Sequence, residues 1–285
     1  MKIAALADIH ANYRALETVI DHIERWKPDV ILVAGDIVNR GPRSLCCWQK
    51  IEEKQQNAGW QVIRGNHEDY VIERDQPNDP QNGPRYEMYQ PVHFSYAQLK
   101  HDVSAIRALP EQISLEFGDA GEVRMLHASM ISNRSGIYPE TGEIELQRRI
   151  APAPEVFVTG HTHRSLVREL MGTLVVNAGS VGLPFDGDTR TGYAQITWQQ
   201  GKWSAEIIRL EYDLAQAEQD FYDFGFIEQG GPLTQLILLE LKTGLGQLYE
   251  WVGRYNQAIL QYKISVAQAT QNFLQNPITE PYWCK

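Results

Sequence analysis

The sequence predicts an α/β fold, and two observations carry that reading. Six short aliphatic runs have the length and residue types of buried strands: Ile3 to Ala7, Val30 to Ala34, Trp60 to Ile63, Val123 to Leu126, Val156 to Thr159 and Leu174 to Val176. Segments with helical periodicity separate several of them, and this alternation is the mark of an α/β architecture.

The elements follow in chain order. After the first run, Asn12 is placed to cap a helix whose inner face carries Leu16, Val19, Ile20 and Ile23. Ser44 is placed to cap the next helix, and Ser95 with Gln98 forms a capping box ahead of a helix ending near Pro110. From about Gly192 the pattern changes: Tyr193 to Trp198 and Trp203 to Leu210 form a hairpin around Gln199-Gln200-Gly201-Lys202. Asp213 caps a short helix to about Phe224, and Gly230-Gly231-Pro232 breaks the chain. Beyond it Leu233, Ile237, Leu241, Leu245, Leu248, Val252, Tyr255 and Ile259 recur at helical spacing, with Gly244, Gly246 and Gly253 as interruptions. Residues 1–212 thus read as the main domain and 213–285 as a helical C-terminal extension packed on it. That extension, with its Pro281-Tyr282-Trp283 tail, is expected to serve a homodimer contact or to cover the rim of the main domain.

Bulk properties bound the possibilities. A chain of 285 residues with 43% hydrophobic content buries one large core with an appendage. A net charge of -10 argues against long nucleic acid as a partner, because counterion release needs clustered Lys and Arg. The three cysteines, Cys46, Cys47 and Cys284, fit a reduced, cytoplasmic setting. The first apolar run is shorter than a signal-peptide core, and no apolar stretch reaches membrane-spanning length, so no membrane partner is expected.

Every one of the six runs ends in polar residues, and in open α/β sheets ligands gather beyond the carboxyl ends of the strands. Five of the 8 histidines, His10, His67, His127, His161 and His163, lie at these ends beside Asp8, Asp36 and Asn66. Imidazole with carboxylate suits Mn, Fe, Zn, Co or Ni better than calcium, and the lack of cysteine in the cluster excludes a thiolate zinc finger. Asp8 and His10 are two residues apart, as are His161 and His163; in an extended segment each pair faces one side and can chelate.

The blocks Asp8-x-His10, Gly35-Asp36-x4-Gly41, Gly65-Asn66-His67-Glu68, His127 and Gly160-His161-x-His163 resemble, in order, those of the calcineurin-like metallophosphoesterase superfamily. Gly41-Pro42 and Asn177-Ala178-Gly179-Ser180-Val181-Gly182-Leu183-Pro184 extend the resemblance to its small bacterial phosphodiesterase-like branch. The resemblance implies a four-layer α/β/β/α sandwich of two mixed sheets. It also implies two divalent cations, Mn first, with one held by Asp8, His10 and His163, the other by Asn66, His127 and His161, and Asp36 bridging. Such a pair, about 4 Å apart, shares a hydroxide that attacks phosphorus in line. His67 matches the family's leaving-group histidine.

In the family's phosphoprotein phosphatases the second block carries an Arg that grips phosphate and an Asp that supports the histidine. Here Arg40 matches, but Asn39 stands where that Asp would be. An amide cannot hold an imidazolium charged as a carboxylate does, so His67 is expected to be a poor proton donor. Substrates with good leaving groups then follow: phosphodiesters of acidic alcohols and phosphoanhydrides, including nucleotide-like molecules. A phosphoprotein phosphatase is the rival within enzymes, and a non-catalytic metal-binding scaffold is the rival of another class.

Overall fold

The aliphatic runs resolve into parallel strands, and the loops after them converge on one rim. The structure is a computed structural model that describes residues 1–281, so Tyr282, Trp283 and Cys284 lie outside the described residues. In chain order, β1 (Lys2–Leu6), α1 (Tyr13–Trp26), β2 (Val30–Val33), α2 (Ser44–Ala58) and β3 (Gln61–Val62) lead to α3 (Asn66–Ile72). Three further helices follow, α4 (Gly83–Met88), α5 (Gln90–Gln98) and α6 (Ser104–Arg107), before the hairpin of β4 (Gln112–Glu116) and β5 (Glu122–Leu126). Then come α7 (Glu143–Ile150), β6 (Val156–Thr159), β7 (Leu166–Leu170), β8 (Thr173–Asn177), β9 (Thr191–Gln199) and β10 (Lys202–Leu210). The rest is helical: α8 (Leu214–Asp223), α9 (Phe226–Gln229), α10 (Thr234–Thr243), α11 (Gln247–Leu260) and α12 (Val266–Leu274).

These strands form two five-stranded sheets, ordered β10-β9-β1-β2-β3 and β4-β5-β6-β8-β7. In the first, parallel β1, β2 and β3 are extended on one side by the antiparallel hairpin of β9 and β10; in the second, parallel β5, β6 and β8 are flanked by antiparallel β4 and β7. Alternation along β1 shows why that run is apolar throughout. Ile3, Ala5 and Ala7 meet Met125, Val158 and Val176 of the second sheet, whereas Ala4 and Leu6 meet Leu16, Val19 and Ile23 of α1. On the far side, Phe157 and Val175 pack against Leu146 and Ile150 of α7. The result is the four-layer α/β/β/α sandwich, with the C-terminal helices alongside.

Two strands escaped the sequence reading. β4 (Gln-Ile-Ser-Leu-Glu) and β7 (Leu-Val-Arg-Glu-Leu) are edge strands in which polar residues interrupt the apolar ones, so neither presents a continuous apolar run.

Several caps need correction as well. Asn12 does cap α1, its side chain accepting the Ala15 N–H, and Asp213 caps α8 through the Gln216 N–H. Ser44, however, is the first residue of its helix, and Arg43 is the cap. No capping box forms at Ser95, which lies inside α5, and that helix stops at Gln98 rather than near Pro110. Gln98 reaches out of α5 instead: its Oε1 accepts the Ser44 N–H at 2.8 Å, so one helix caps another. Gly253 does not interrupt α11, although Gly244, at φ 66°, does end α10.

The helices after Leu214 share apolar cores with the rest of the chain. Phe221, Phe226, Ile237 and Leu241 cluster with Phe94 and Leu183, whereas Trp251, Phe273, Leu233 and Leu236 form a second cluster within the extension, against which Met88 of α4 packs. Asp220 on α8, almost fully buried, pairs with Arg14 of α1 at 3.2 Å and with Arg43 at 3.3 Å. No helix among the described residues is long and apolar enough to cross a membrane.

Leu16→Ala, at a fully buried position beneath β1, is expected to lower the unfolding free energy in urea by about 2–5 kcal/mol. Asp21→Ala, on the exposed face of the same helix, is expected to change it by less than about 0.5 kcal/mol.

Candidate metal centre

The strand ends are held level by backbone hydrogen bonds that continue past the sheets. Asp8 N–H donates to Gly35 O at 3.1 Å, His10 N–H to Asp36 O at 2.9 Å, and Gly160 N–H to His127 O at 2.9 Å. Asp8, His10, Asp36 and Asn66 thus rise from one sheet, while His127, His161 and His163 rise from the other.

The backbone there is not extended. Asp8, His10, Asp36, Asn39, Arg40, His161 and His163 all have positive φ, between 47° and 69°. That corrects the extended-segment argument for the two-apart pairs: left-handed turns, not strand pleating, aim these side chains. It also splits the second pair. His163 joins His10, whereas His161 joins His127.

One group of donors consists of His10 Nε2 and His163 Nε2, 3.0 Å apart, with Asp8 Oδ1 at 3.7 and 3.4 Å from them. Two imidazole nitrogens at that separation need a proton or a cation between them. The other group consists of Asn66 Oδ1, His127 Nε2 and His161 Nδ1, with both rings 2.9 Å from the amide oxygen and 3.3 Å from each other. Asp36 Oδ2 stands between the groups, 3.7 Å from His10 Nε2 and 3.3 Å from His127 Nε2. All seven residues named from the sequence as metal ligands are therefore together, with Asp36 between the two groups.

Orienting bonds fix several donors. His127 Nδ1 donates to Ala34 O at 2.7 Å, and His163 Nδ1 donates to Leu183 O. A carbonyl only accepts, so each ring carries a proton on Nδ1 and turns Nε2 into the cluster. Asp8 Oδ2 accepts the His161 N–H at 2.7 Å and Asp36 Oδ1 the His67 N–H at 2.8 Å. Asp8 Oδ1 is buried with no hydrogen-bond partner among the described residues. A buried, unpartnered carboxylate oxygen amid imidazoles fits a nitrogen- and oxygen-liganded divalent cation.

Electrostatics support the same reading. Burial pushes His10 and His161 down to about 4, so both rings are neutral and able to ligate at pH 7. Burial opposes ionisation of Asp36, yet the charge on His127 outweighs it and holds the carboxyl well below its ordinary range. Burial likewise opposes a charge on His127, but Asp36 outweighs it and raises the ring to about 10. A divalent cation at Nε2 would replace that proton with positive charge at the same place.

His67 lies beside the first group, its ring 4.7 Å from that of His10 and edge-on to it. Its Nδ1 is 2.9 Å from Asn39 Nδ2, and Asn39 is almost fully buried, not a solvated loop residue. Arg40 is near enough to disfavour protonation of His10 and His67, and its guanidinium lies 5.3 Å from the Phe185 ring. Its ion-pair partner is Glu240. Of the loop residues, Arg134 sits over Tyr70 at 4.8 Å, and Tyr70 meets His67 edge-on at 5.2 Å. His22, His93 and His101 are elsewhere, each packed on a tyrosine.

Three contributors had no assigned role in the sequence reading. Glu68 is fully buried and accepts backbone N–H groups from Asp36 (2.7 Å), Ile37 (2.7 Å), Val38 (3.1 Å) and Gly65 (2.7 Å). Ser180 Oγ donates to Asp8 O at 2.7 Å, and Phe185 stacks on His163 at 4.2 Å. Glu68 and Ser180 stand inside quoted blocks, a signal that something there mattered; Phe185 offered none.

Residues 1–201 match the sequence model of the calcineurin-like phosphoesterase superfamily domain. An uncharacterized protein of Methanocaldococcus jannaschii is 24% identical over 233 residues, 75% of this chain and 89% of that one. Among solved structures, a hypothetical protein from Pyrococcus horikoshii OT3 superposes with a TM-score of 0.71 at 21% identity, covering 85% of this chain and 98% of its own. A metallophosphoesterase from Sphaerobacter thermophilus superposes at 0.65 with 24% identity, covering 86% and 100%. These superpositions speak for the fold.

Excess Mn at about 100-fold over its dissociation constant is expected to stabilise the protein by about 2.7 kcal/mol, a rise of about 4–5 °C in Tm. EDTA should reverse it. Asp36→Asn should abolish most of the rise, which differential scanning fluorimetry measures directly.

Proposed function

Since the chain belongs to the calcineurin-like phosphoesterase superfamily, we propose that it is a dinuclear metal-dependent hydrolase of phosphodiesters or phosphoanhydrides. The observation that carries this reading is the pair of three-donor groups about Asp36, with His67 and Arg40 beside them. Two divalent cations, Mn first among those the donors suit, supply Lewis acidity toward the phosphoryl group and the attacking water when bound. Everything else falls to the chain. Asp36 sets the two donor groups in register, Arg40 brings positive charge to the rim for a phosphoryl oxygen, and His67 faces the departing group.

The role of His67 follows from one amide. Asn39 Oδ1 accepts the Arg40 backbone N–H at 2.8 Å, which orients the amide so that Nδ2 donates to His67 Nδ1 at 2.9 Å. Nδ1 is then an acceptor, and the ring's proton resides on Nε2. Burial also pushes His67 well below its ordinary pKa, against the pull of Asp36. A neutral ring of this tautomer donates a hydrogen bond to an oxyanion but has no acidic proton to release. Leaving groups that depart without protonation are favoured, which supports activated phosphodiesters and phosphoanhydrides over phosphoserine. Small nucleotide-like phosphates fit the net charge of -10 better than long polynucleotides do.

Hydrolysis of bis(p-nitrophenyl) phosphate and of dinucleoside polyphosphates should require Mn and fall by about 100-fold or more in Asp36→Asn. A metal-loaded but wholly inert wild-type protein would instead identify a binding scaffold. Across aryl phosphodiesters of graded leaving-group acidity, Asn39→Asp should flatten the dependence of rate on leaving group and speed the poorest substrate by about 10-fold or more. Identical slopes in both proteins would sink the amide argument.

A further inference from the structure

Arg40 is held from two directions by parts of the chain far from it in sequence. Glu240, on α10, is fully buried and pairs with Arg40 Nη2 across 200 residues of separation. Its other oxygen accepts the backbone N–H of Leu248, on α11, at 2.9 Å. From the other side, the Phe185 ring spans the gap between Arg40 and His163, stacked on His163 with only 13° between planes. Phe185 rests in turn on the turn between α10 and α11: a Cβ at Gly246 would stand 3.3 Å from its ring, and Gly187 N–H donates to Gly244 O at 3.0 Å.

From this arrangement we propose that Glu240 is a positioning residue for Arg40, so that α10 completes the phosphate-binding rim; the proposal rests on the phosphoesterase reading. A long, flexible Arg side chain loses affinity for an anion when it must first be ordered. Here the root is set by left-handed backbone at Asn39 and Arg40, and the tip by a carboxylate that cannot follow it into water. The pairing uses Nη2 alone, whereas a latch that blocked the site would occupy both arms of the guanidinium fork. Arg40 Nε is itself buried, so the donors left for a ligand are those of the guanidinium tip, on a side chain that keeps 14% exposure. The guanidinium is thus anchored at one corner and keeps donors for an incoming phosphoryl oxygen.

Glu240→Gln is the informative variant, because its amide oxygen still accepts the Leu248 N–H while the charge is gone. The Mn-loaded full chain would be titrated with inorganic phosphate by calorimetry, alongside kcat and KM for bis(p-nitrophenyl) phosphate. Phosphate Kd and substrate KM are expected to rise about tenfold, with kcat within about threefold and metal content unchanged. In an Arg40→Ala background the same change should add no further loss, because the two residues act as one unit. Phosphate affinity within about twofold of wild type, or a full additional loss on top of Arg40→Ala, would overturn the proposal. If Glu240→Gln does not fold, Glu240→Asp keeps the charge but withdraws it by one methylene, and the same weakening is required of it. A wild-type protein that binds phosphate yet turns nothing over would defeat the phosphoesterase reading alone, leaving the role of Glu240 to be judged by the calorimetry.

Discussion

The site depends on a carboxylate that touches no substrate. Glu68 gathers four backbone N–H groups, three from the loop after β2 and one from the turn before α3. Those loops carry Asp36 and Asn66, and without a shared acceptor their N–H groups would be buried and unpaired. Burial and the nearby Asp36 charge push Glu68 up to about 7, while the N–H groups of Gly65, Val38 and Asp36 pull the other way. The closeness of the loops admits little else. A Cβ at Gly65 would stand 2.8 Å from both Asp36 N and His127 Nδ1, so only glycine lets the two loops meet.

Around that anchor the chain accepts strain where the chemistry is. Consecutive left-handed residues at Asn39 and Arg40, and alternating ones at Asp8 and His10 and at His161 and His163, each carry a backbone cost. They persist because packing and hydrogen bonds on both sides over-determine them: Ser180 holds the Asp8 carbonyl, and Leu183 holds His163. Neighbouring donors consequently sit 2.9 to 3.7 Å apart as a property of the fold itself. A cation entering such a cluster meets ligands already in place.

Much of this was legible in the sequence, for a physical reason. Parallel strands buried on both faces must be continuous apolar runs, and the residues that follow them must be polar, so β1, β2, β5, β6 and β8 announced both the sheets and their functional ends. The clustering of Asp8, His10, Asp36, Asn66, His127, His161 and His163 was legible because few residue types suit divalent cations and those types were concentrated at the strand ends. Edge strands β4 and β7 were not, since half of each faces solvent and breaks the run. Nor were the roles of Ser44 and Gln98, where a side chain from one helix caps another; local motifs cannot encode a partner 54 residues away. The same limit hid Glu240, whose meaning lies wholly in the Arg40 it meets 200 residues earlier. Asn39 stood between these extremes: its departure from a neighbouring family's pattern was visible, but the tautomer it imposes on His67 needed the backbone of Arg40.

The pairing of β1 with β9 has a consequence for how the protein is made. β1 lies in the middle of its sheet, yet one of its neighbours is β2, finished within the first few dozen residues, and the other is β9, about 190 residues later. On the ribosome the outer edge of β1 therefore stays open through most of synthesis, a row of unpaired backbone groups on an otherwise apolar strand. Asp8, His10, Asp36 and Asn66 emerge during that interval without His127, His161 and His163. The nascent chain consequently cannot assemble the whole donor cluster until both halves are out, and the late hairpin of β9 and β10 is the step that seals the first strand.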